Sequence, residues 1–302
     1  MQPQLTVRPS QPKDKAHILE FCQRTFSWGD YVPHVWDTWI QERNSRLFTA
    51  LYNNQPLGLM RVAMVKTGEA WLQAARTHPS ARRRGVATAL TRVCLRWALT
   101  QGAEIARLAT DSDNAPAQQT LQRLAFRRVS DFLVMKSHHL GPQRVRDSRW
   151  ANAADVDRVW RLLRSSAIYA ESAGLYTIVF TWFSLDRSAL IEFIRTERAV
   201  IHERGNVVDG LMLVDETASE AWPEEKPLQT CYIDGNQQAI TDMMIFVKDY
   251  AQAKGFRHVY AFACNTPLVS IALTKTGFAE ESTTELIYEK QLVSESLRDR
   301  VD

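Results

Sequence analysis

The spacing of apolar residues changes abruptly near residue 84, and this change is the feature that most constrains the fold. Before it, apolar and polar residues alternate with the period of two that is typical of strands, over residues 47–52, 57–65 and 70–77. The turns Asn53-Asn54 and Thr67-Gly68 separate these segments. We therefore predict a meander of three antiparallel strands.

After residue 84 the apolar residues recur with the period of a helix. One helical face is formed by Val86, Leu90, Val93, Cys94 and Trp97. The pattern ends at Gly102, and a strand over 105–109, a helix beginning near residue 114 and a strand over 126–135 follow. Antiparallel strands that are followed by alternating helices and strands predict an α/β (α+β) fold, in which a mixed, mostly antiparallel sheet is flanked by helices.

The same order of elements recurs in the second half of the chain. Helices are predicted over 153–165, 189–195, 238–254 and 268–275, and strands over 200–203, 211–214, 228–233, 258–263 and 285–290. Phe126 and Phe278 occupy matching points, which indicates a repeat of the fold. We predict two domains, 1–138 and 143–302, joined by a linker near residues 138–142.

Charge is distributed unevenly between the halves, although the net charge is only +3. Residues 1–138 contain 19 Lys and Arg against 10 Asp and Glu, and residues 139–302 contain 18 against 24. A basic half suits a polyanion, either a nucleotide cofactor or a nucleic acid. No stripe of basic and aromatic residues follows Arg82-Arg83-Arg84, so we expect no nucleic acid partner.

The sequence also predicts what the protein lacks. No run approaches 18 consecutive apolar residues, and the N-terminus has no signal-peptide pattern, so we expect a cytoplasmic protein with no membrane partner. The cysteines Cys22, Cys94, Cys231 and Cys264 show no spacing typical of metal sites. We expect buried thiols and no bound metal, and the sequence leaves the oligomeric state open.

The segment from Arg76 to Leu90 carries the chemical information. A strand leads through a short turn into a helix, whose first backbone N–H groups are free to bind an anion. Gly85 and Ala87 let a ligand approach the backbone closely. Three arginines at a helix N-terminus oppose the helix dipole, and a bound phosphate would explain them. A P-loop would need G-x-x-x-x-G-K-[ST], which the sequence lacks.

The string Arg82-Arg83-Arg84-Gly85-Val86-Ala87 resembles the signature Arg/Gln-x-x-Gly-x-Gly/Ala of the GNAT acetyltransferase superfamily. The resemblance extends over residues 1–138 through the strand order, the glycine-ended helix and Asn114 at the next helix. It implies an N-acetyltransferase that uses acetyl-CoA as a co-substrate and transfers the acetyl group to a primary amine by direct attack. The acceptor would be a small molecule or an amino acid.

The resemblance also implies which residues bind acetyl-CoA. The pyrophosphate would lie on the backbone of residues 82–88, the pantetheine would run beside the strand ending at Thr77, and Asn114 would contact the thiol end. A backbone N–H near Thr77 would hold the oxyanion. The implied cofactor-binding residues are Ala75, Arg76, Thr77, Arg82, Arg83, Arg84, Gly85, Val86, Ala87, Thr88 and Asn114.

The catalytic positions depart from the family pattern. The tyrosine that many members place seven residues after the asparagine corresponds to Leu121, and a frequent glutamate position corresponds to Gln73. Leu121 cannot donate a proton to the leaving thiolate, and Gln73 cannot accept the proton that an attacking amine must lose. The general base is therefore sought among Glu69, His34, Asp30 and His78. We take Glu69 and His34 as the catalytic candidates, although each could equally be structural.

An aromatic segment over residues 28–39 occupies the place where family members line the acceptor pocket. Its residues Trp36, Trp39 and Ile40 have the spacing of helix packing. Trp28, Tyr31 and His34 lie off that stripe and are the candidates for substrate binding. The segment resembles that of a histidine N-acetyltransferase-like branch, which implies a free amino acid or another small metabolite as acceptor.

At the corresponding turn the second half reads Tyr232-Ile233-Asp234-Gly235-Asn236-Gln237-Gln238-Ala239, without the arginine signature. Carboxylates at Asp234 and Asp242 would repel a phosphate. We predict that residues 143–302 form a degenerate GNAT-like domain that does not bind CoA. The departures at Leu121 and Gln73 leave an alternative open, a catalytically inactive acyl-CoA-binding sensor or scaffold.

Overall fold

The computed structural model describes residues 5–23, 30–138, 147–218, 224–281 and 283–292. The chain divides into two compact units, and neither is one continuous stretch. The first unit comprises Met1–Leu108, Pro116–Arg127 and Tyr288–Asp302, and the second comprises Ala109–Ala115 and Arg128–Ile287. The division into domains at 1–138 and 143–302 stays a prediction.

The strands of the first unit follow the order β1-β2-β3-β4-β5. They are β1 (Leu5–Pro9), β2 (Ser45–Tyr52), β3 (Gln55–Lys66), β4 (Glu69–Thr77) and β5 (Ile105–Asp111), which belongs to this unit through Leu108. The first four pair antiparallel, and β4 and β5 pair parallel. The predicted meander is thus present.

Helices cover both faces of this sheet. They are α1 (Lys15–Cys22), α2 (Val32–Trp39), α3 (Val86–Thr100) and α4 (Ala115–Arg123), which belongs to this unit from Pro116. Leu59 of β3 packs in one core cluster with α1 and α2. The neighbouring Gly58 and Met60 contact α3, because successive residues of a strand face opposite sides.

The second unit contains the strand order β6-β13-β12-β11-β10-β7. These strands are β6 (Arg127–Ser137), β7 (Ser148–Trp150), β10 (Ala199–Arg204), β11 (Val207–Asp215), β12 (Pro227–Gly235) and β13 (His258–Cys264). Further elements are α5 (Val156–Ser165), α6 (Ala167–Glu171), β8 (Leu175–Ile178), β9 (Thr181–Ser184), α7 (Arg187–Arg195), α8 (Gln237–Ala253), α9 (Pro267–Lys275), β14 (Ala279–Glu280) and β15 (Glu285–Gln291). β12 and β13 pair parallel, and the other pairs in this order are antiparallel.

Most predicted elements of the second half are present, and the predicted linker lies mainly outside the described residues. The hairpin of β8 and β9 was not predicted. Its turn residues Val179 and Phe180 have φ values of 45° and 58°, which are unusual for such side chains. The buried Gln229 of β12 holds the hairpin, since its amide donates to Thr177 O at 3.1 Å and accepts from Val179 N at 3.0 Å.

The four cysteines are unpaired and buried, as predicted.

Candidate functional site

The turn between β4 and α3 exposes its backbone at the place where the sequence predicts an anion site. Arg83 has a φ of 63° and Gly85 a φ of 79°, both in the left-handed region. Positive φ values at alternate residues curl the chain so that successive N–H groups converge, an arrangement that binds anions. A Cβ added at Gly85 would meet no atom within 4 Å, so the backbone conformation, and not a neighbouring side chain, requires glycine there.

The first turn of α3 offers unused hydrogen-bond donors. The N–H groups of Val86, Ala87 and Thr88 have no acceptor within the helix, and no side chain caps this end. No acidic residue occurs in the first turn. The turn residues 82–85 are exposed, and the Arg84 guanidinium lies 4.9 Å from the ring centre of Tyr52. The site therefore combines free donors, a positive helix end and guanidinium charge.

A bulge in β4 lies next to this turn. Ala74 has a φ of 56°, and the pairing register with β3 shifts between Gln73 and Arg76. The ladder with β5 ends at the pair Trp71–Arg107, while β4 continues to Thr77. The end of β4 therefore presents an edge that a ligand chain could pair with, which is where the resemblance places pantetheine.

The bulge also decides which side chains of β4 face α1 and α2. Arg61 of β3 pairs with Gln73, and Leu59 pairs with Arg76. Leu59 and Arg61 point to the same face because they are two residues apart, so Gln73 and Arg76 share that face although they are three apart. Strict alternation of side chains along β4 would have placed Arg76 and Gln73 on different faces of the sheet. The bulge therefore brings a guanidinium to the α1/α2 face.

Arg76 forms a buried ion pair with Asp30. Arg76 Nε donates to Asp30 Oδ2 at 2.7 Å, and Nη2 donates to Oδ1 at 3.2 Å. The backbone N–H of Val32 adds a third bond to Asp30 at 3.0 Å. Burial disfavours the charged form of Arg76 and would lower its pKa. The hydrogen bonds to Asp30 favour the charged form more strongly, so the pKa of Arg76 is raised. Burial, with the Asp30 charge, also raises the pKa of Cys22 to about 12.

An aromatic pair connects this ion pair to a second guanidinium. The Tyr31 ring lies 5.3 Å from Arg76 Cζ and 5.8 Å, edge to face, from the Trp39 ring. Arg61 Cζ lies 4.7 Å from the Trp39 ring, and Arg61 Nη2 is paired with Glu42. Tyr31 is 37% exposed, so solvent reaches its ring, whereas Trp39 is buried.

The predicted catalytic residues lie apart from each other. Glu69 stands at the start of β4, where Arg107 Nη1 donates to its Oε2 at 2.7 Å, and Arg107 also binds Glu289. His34 is exposed on α2. His78 accepts from Ser80 N at 3.1 Å, and its ring lies 5.5 Å from that of Phe21. Their catalytic roles stay predictions.

Of the other predicted site residues, Trp28 lies outside the described residues. Asn114 belongs to the second unit, where its backbone N–H donates to Asp111 O at 3.1 Å. Leu121, at the position of the family tyrosine, is buried. Of the predicted substrate-binding residues, the structure places Tyr31 against Arg76, whereas His34 projects to solvent.

Neither Arg61 as a residue of this site nor the orientation of the Arg76 side chain towards α1 and α2 was predicted from the sequence. A charged residue inside the apolar strand at 57–65 was the available signal for Arg61. Nothing in the run of alanines at Ala74-Ala75 indicates a bulge, so the orientation of Arg76 could not be predicted.

At the corresponding turn of the second unit, a side chain caps the start of the helix. The Asn236 side chain accepts from the N–H groups of Gln238 and Ala239, each at 3.0 Å, and thereby caps α8. Asp234 lies two residues before Asn236 and is buried. It accepts hydrogen bonds from Ser166 Oγ at 2.8 Å and Tyr232 Oη at 2.6 Å. Burial raises the pKa of Asp234. Two of the first three N–H groups of α8 are thus occupied by a side chain, whereas no side chain caps those of α3.

Each unit packs a glycine of its sheet against the start of its long helix. A methyl group at Gly58 would overlap Val86 Cγ1, and one at Gly210 would lie 2.9 Å from Ala239 Cβ. We expect Gly58→Ala and Gly210→Ala each to lower the free energy of unfolding by about 1–3 kcal/mol. Only Gly58→Ala should weaken CoA binding, since it displaces the first residue of α3. Urea unfolding and CoA titration measure the two effects, and equal loss of CoA affinity in both variants would contradict this assignment.

A carboxyl pair in the second unit predicts a pH dependence. Glu285 is only 9% exposed. Its burial, the negative charge of Asp111 and the hydrogen bond between the two carboxyl groups together raise the pKa of Glu285 to about 8. The unfolded chain releases this proton at much lower pH, so the free energy of unfolding should fall as the pH rises from 5 to 8. Glu285→Gln should remove this fall and stabilise the protein at pH 8.5 by roughly 2–4 kcal/mol.

Thermal unfolding across that pH range tests the Glu285 prediction. Glu280→Gln, at an exposed position on β14, is the control and should leave the pH profile unchanged. An unchanged profile in Glu285→Gln would show that Glu285 does not carry the effect.

The described part of the chain contains no group of three or more His, Cys, Asp or Glu placed to hold a metal ion. It also contains no helix of the length and apolarity needed to cross a membrane.

Comparison with known proteins relates this geometry to a family. The model of the acetyltransferase (GNAT) family matches residues 14–126. The histidine N-acetyltransferase of Xenopus tropicalis is 32% identical over 85 residues, which are 28% of this chain. The matched region spans only 26% of that relative's length.

Solved structures match the fold over nearly the whole chain. A GCN5-related N-acetyltransferase from Sphaerobacter thermophilus has a TM-score of 0.59 at 13% identity and covers 95% of both chains. A tandem GNAT protein from the clavulanic acid biosynthesis pathway has a TM-score of 0.54 at 13% identity, covering 95% of this chain and 98% of its own. The predicted fold class, two GNAT-like domains with mixed, mostly antiparallel sheets flanked by helices, is confirmed.

Proposed function

We propose that this chain, which contains an acetyltransferase domain of the GNAT superfamily, is an acetyl-CoA-dependent N-acetyltransferase acting on the primary amine of a small molecule or amino acid. The observation that carries the proposal is the uncapped start of α3 beside the left-handed turn at Arg83 and Gly85. This turn suits a diphosphate, because it offers backbone donors, a positive helix end and exposed arginines together.

The residues present fit acetyl-CoA, which would supply an activated acetyl group as a thioester. The N–H groups of Val86, Ala87 and Thr88 would bind the pyrophosphate, and Arg82, Arg83 and Arg84 would balance its charge. The edge of β4 at Ala75 to Thr77, next to the bulge at Ala74, would pair with the pantetheine amides. Asn114 would contact the thiol end, as the resemblance implies.

The chain's own groups must then prepare the amine. The amine loses a proton before its lone pair attacks the carbonyl carbon, and we propose Glu69 or His34 as the acceptor of that proton. His34 is exposed to solvent, whereas Glu69 accepts a hydrogen bond from Arg107. The departing thiolate needs no general acid, because the reference pKa of a thiol is only about 8.5. The buried Leu121, which cannot donate a proton, is therefore compatible with the reaction. A backbone N–H near Thr77 would stabilise the oxyanion.

We propose that residues 1–138 form the working domain and residues 143–302 a degenerate one. The support is the cap of α8, in which Asn236 accepts from the N–H groups of Gln238 and Ala239, and the buried carboxylate of Asp234 beside it, where the first unit has three arginines. One molecule of CoA should therefore bind per chain.

The experiment is thiol release from acetyl-CoA by the purified full chain, with product mass analysis, across free amino acids, polyamines, aminoglycosides and peptides. Turnover with one class of small amine is the expected result. CoA binding without turnover by any acceptor would favour the sensor or scaffold, and absence of CoA binding would refute both.

A further inference from the structure

Arg61 is a buried guanidinium with an unused donor on the α1/α2 face of the first unit. It is 9% exposed, and its Nε has no hydrogen-bond partner in the described part of the chain. Its Nη2 is paired with Glu42, whose Oε2 also accepts from Ser45 Oγ at 2.7 Å. A buried N–H without an acceptor is unfavourable, and such groups normally find a partner in the protein, in water or in a ligand.

The surroundings of Arg61 are those of a ligand site. Trp39 stacks on the guanidinium, and Tyr31 contacts Trp39 edge to face while remaining partly exposed. Arg76 of β4 lies on the same face of the sheet as Arg61. It pairs with Leu59, two residues before Arg61 on β3, and its guanidinium contacts the Tyr31 ring. The buried Trp39 therefore covers the guanidinium that carries the unused donor, and the partly exposed Tyr31 ring contacts Trp39 from the side that solvent reaches.

The charges on this face distinguish between kinds of acceptor. Arg76 is neutralised by Asp30, whose oxygens accept three hydrogen bonds. Arg61 is paired with Glu42, which also accepts from Ser45 Oγ, and Arg61 Nε remains without an acceptor in the described part of the chain. A polyamine in its ammonium form carries only N–H donors and offers Arg61 Nε no acceptor. A carboxylate would instead supply the acceptor oxygen that Arg61 Nε lacks, in a charge-assisted hydrogen bond.

We propose that Arg61 Nε binds the carboxylate of the acceptor, so that the enzyme selects α-amino acids over the corresponding simple amines. The inference rests on the proposed function. Arg61 acts here by binding the substrate. The amine of an α-amino acid is attached to the carbon that carries the carboxylate, so binding of the carboxylate also positions the amine.

Matched substrate pairs test this inference. Each pair is an amino acid and its decarboxylated amine, such as histidine and histamine or tryptophan and tryptamine. For the accepted pair, the kcat/KM of the wild type should favour the amino acid by about 10- to 100-fold. Arg61→Gln should reduce this ratio to within about threefold. The ratio is independent of the fraction of folded enzyme, so a purely structural role of Arg61 would not change it.

Two further variants complete the test. Arg46→Gln removes an exposed arginine from the neighbouring strand β2 and should leave the ratio unchanged. Arg61→Lys keeps the charge without Nε and should lower the ratio even if Arg61→Gln does not fold. Equal use of both members of a pair by the wild type, or an unchanged ratio in Arg61→Lys, would overturn the inference alone. Absence of thiol release with every pair would contradict the proposed function itself.

Discussion

Replacing Gly85 by glutamate is expected to raise the dissociation constant for CoA by at least about 100-fold. The substitution places a carboxylate at the turn where the N–H groups of α3 are free, and repulsion of the pyrophosphate follows. It also forces a non-glycine residue into a φ of 79°. Equilibrium dialysis with CoA measures the change.

Gly102→Glu is the matched control at the other end of the same helix. Gly102 has a φ of 84°, and like Gly85 it would bring a Cβ within 4 Å of no other atom. The two variants should share a similar backbone strain, but Gly102→Glu should bind CoA as the wild type does. Comparable weakening in both would attribute the loss to helix destabilisation and not to a phosphate site at Gly85.

Breaking the ion pair between Asp30 and Arg76 should have the largest effect on stability. Asp30→Asn leaves a buried guanidinium without its counter-charge, so the free energy of unfolding should fall by about 3–5 kcal/mol. Lys15 and Asp37 form a comparable pair at the surface, where Asp37 is 72% exposed. Asp37→Asn should cost less than about 1 kcal/mol.

Urea unfolding compares these variants, and a double substitution separates pair loss from packing loss. Asp30→Leu combined with Arg76→Met removes both charges and should recover much of the stability lost in Asp30→Asn. If Asp30→Asn is no more harmful than Asp37→Asn, the pair is not the buried anchor described above.

The secondary structure could be predicted wherever the hydrophobic period is strong. The meander at 47–77 and the long helices α3 and α8 follow such patterns, and all three are present. The hairpin of β8 and β9 was missed because its turn uses Val179 and Phe180, residues that give no turn signal. Only tertiary contacts, among them those from Gln229, explain that turn.

The candidate site was predictable in its backbone and not in its side chains. A strand, a small-residue turn and a helix start are local features, so the exposed turn at residues 82–88 could be inferred from sequence. The α1/α2 face depends on the bulge at Ala74, which reverses the alternation that sequence reasoning assumes. Arg76 therefore pairs with Asp30 in a way that no spacing rule indicates.

Sequence comparison of the two halves identified a difference whose physical basis is now apparent. The lost arginines of the second turn suggested that CoA would not bind there. The structure adds that Asn236 accepts from two of the first three N–H groups of α8, whereas no side chain caps α3. A phosphate at the second turn would have to displace that cap.

We propose one working acetyl-CoA site in this chain, at the start of α3. Calorimetric titration of the purified full chain with CoA tests whether that site exists and whether it is single. We expect saturable binding of one CoA per chain. Gly85→Glu should remove this binding, and Asn236→Ala, which removes the cap of α8, should leave the stoichiometry unchanged. Absence of binding, a stoichiometry of two, or binding that survives in Gly85→Glu would contradict this proposal.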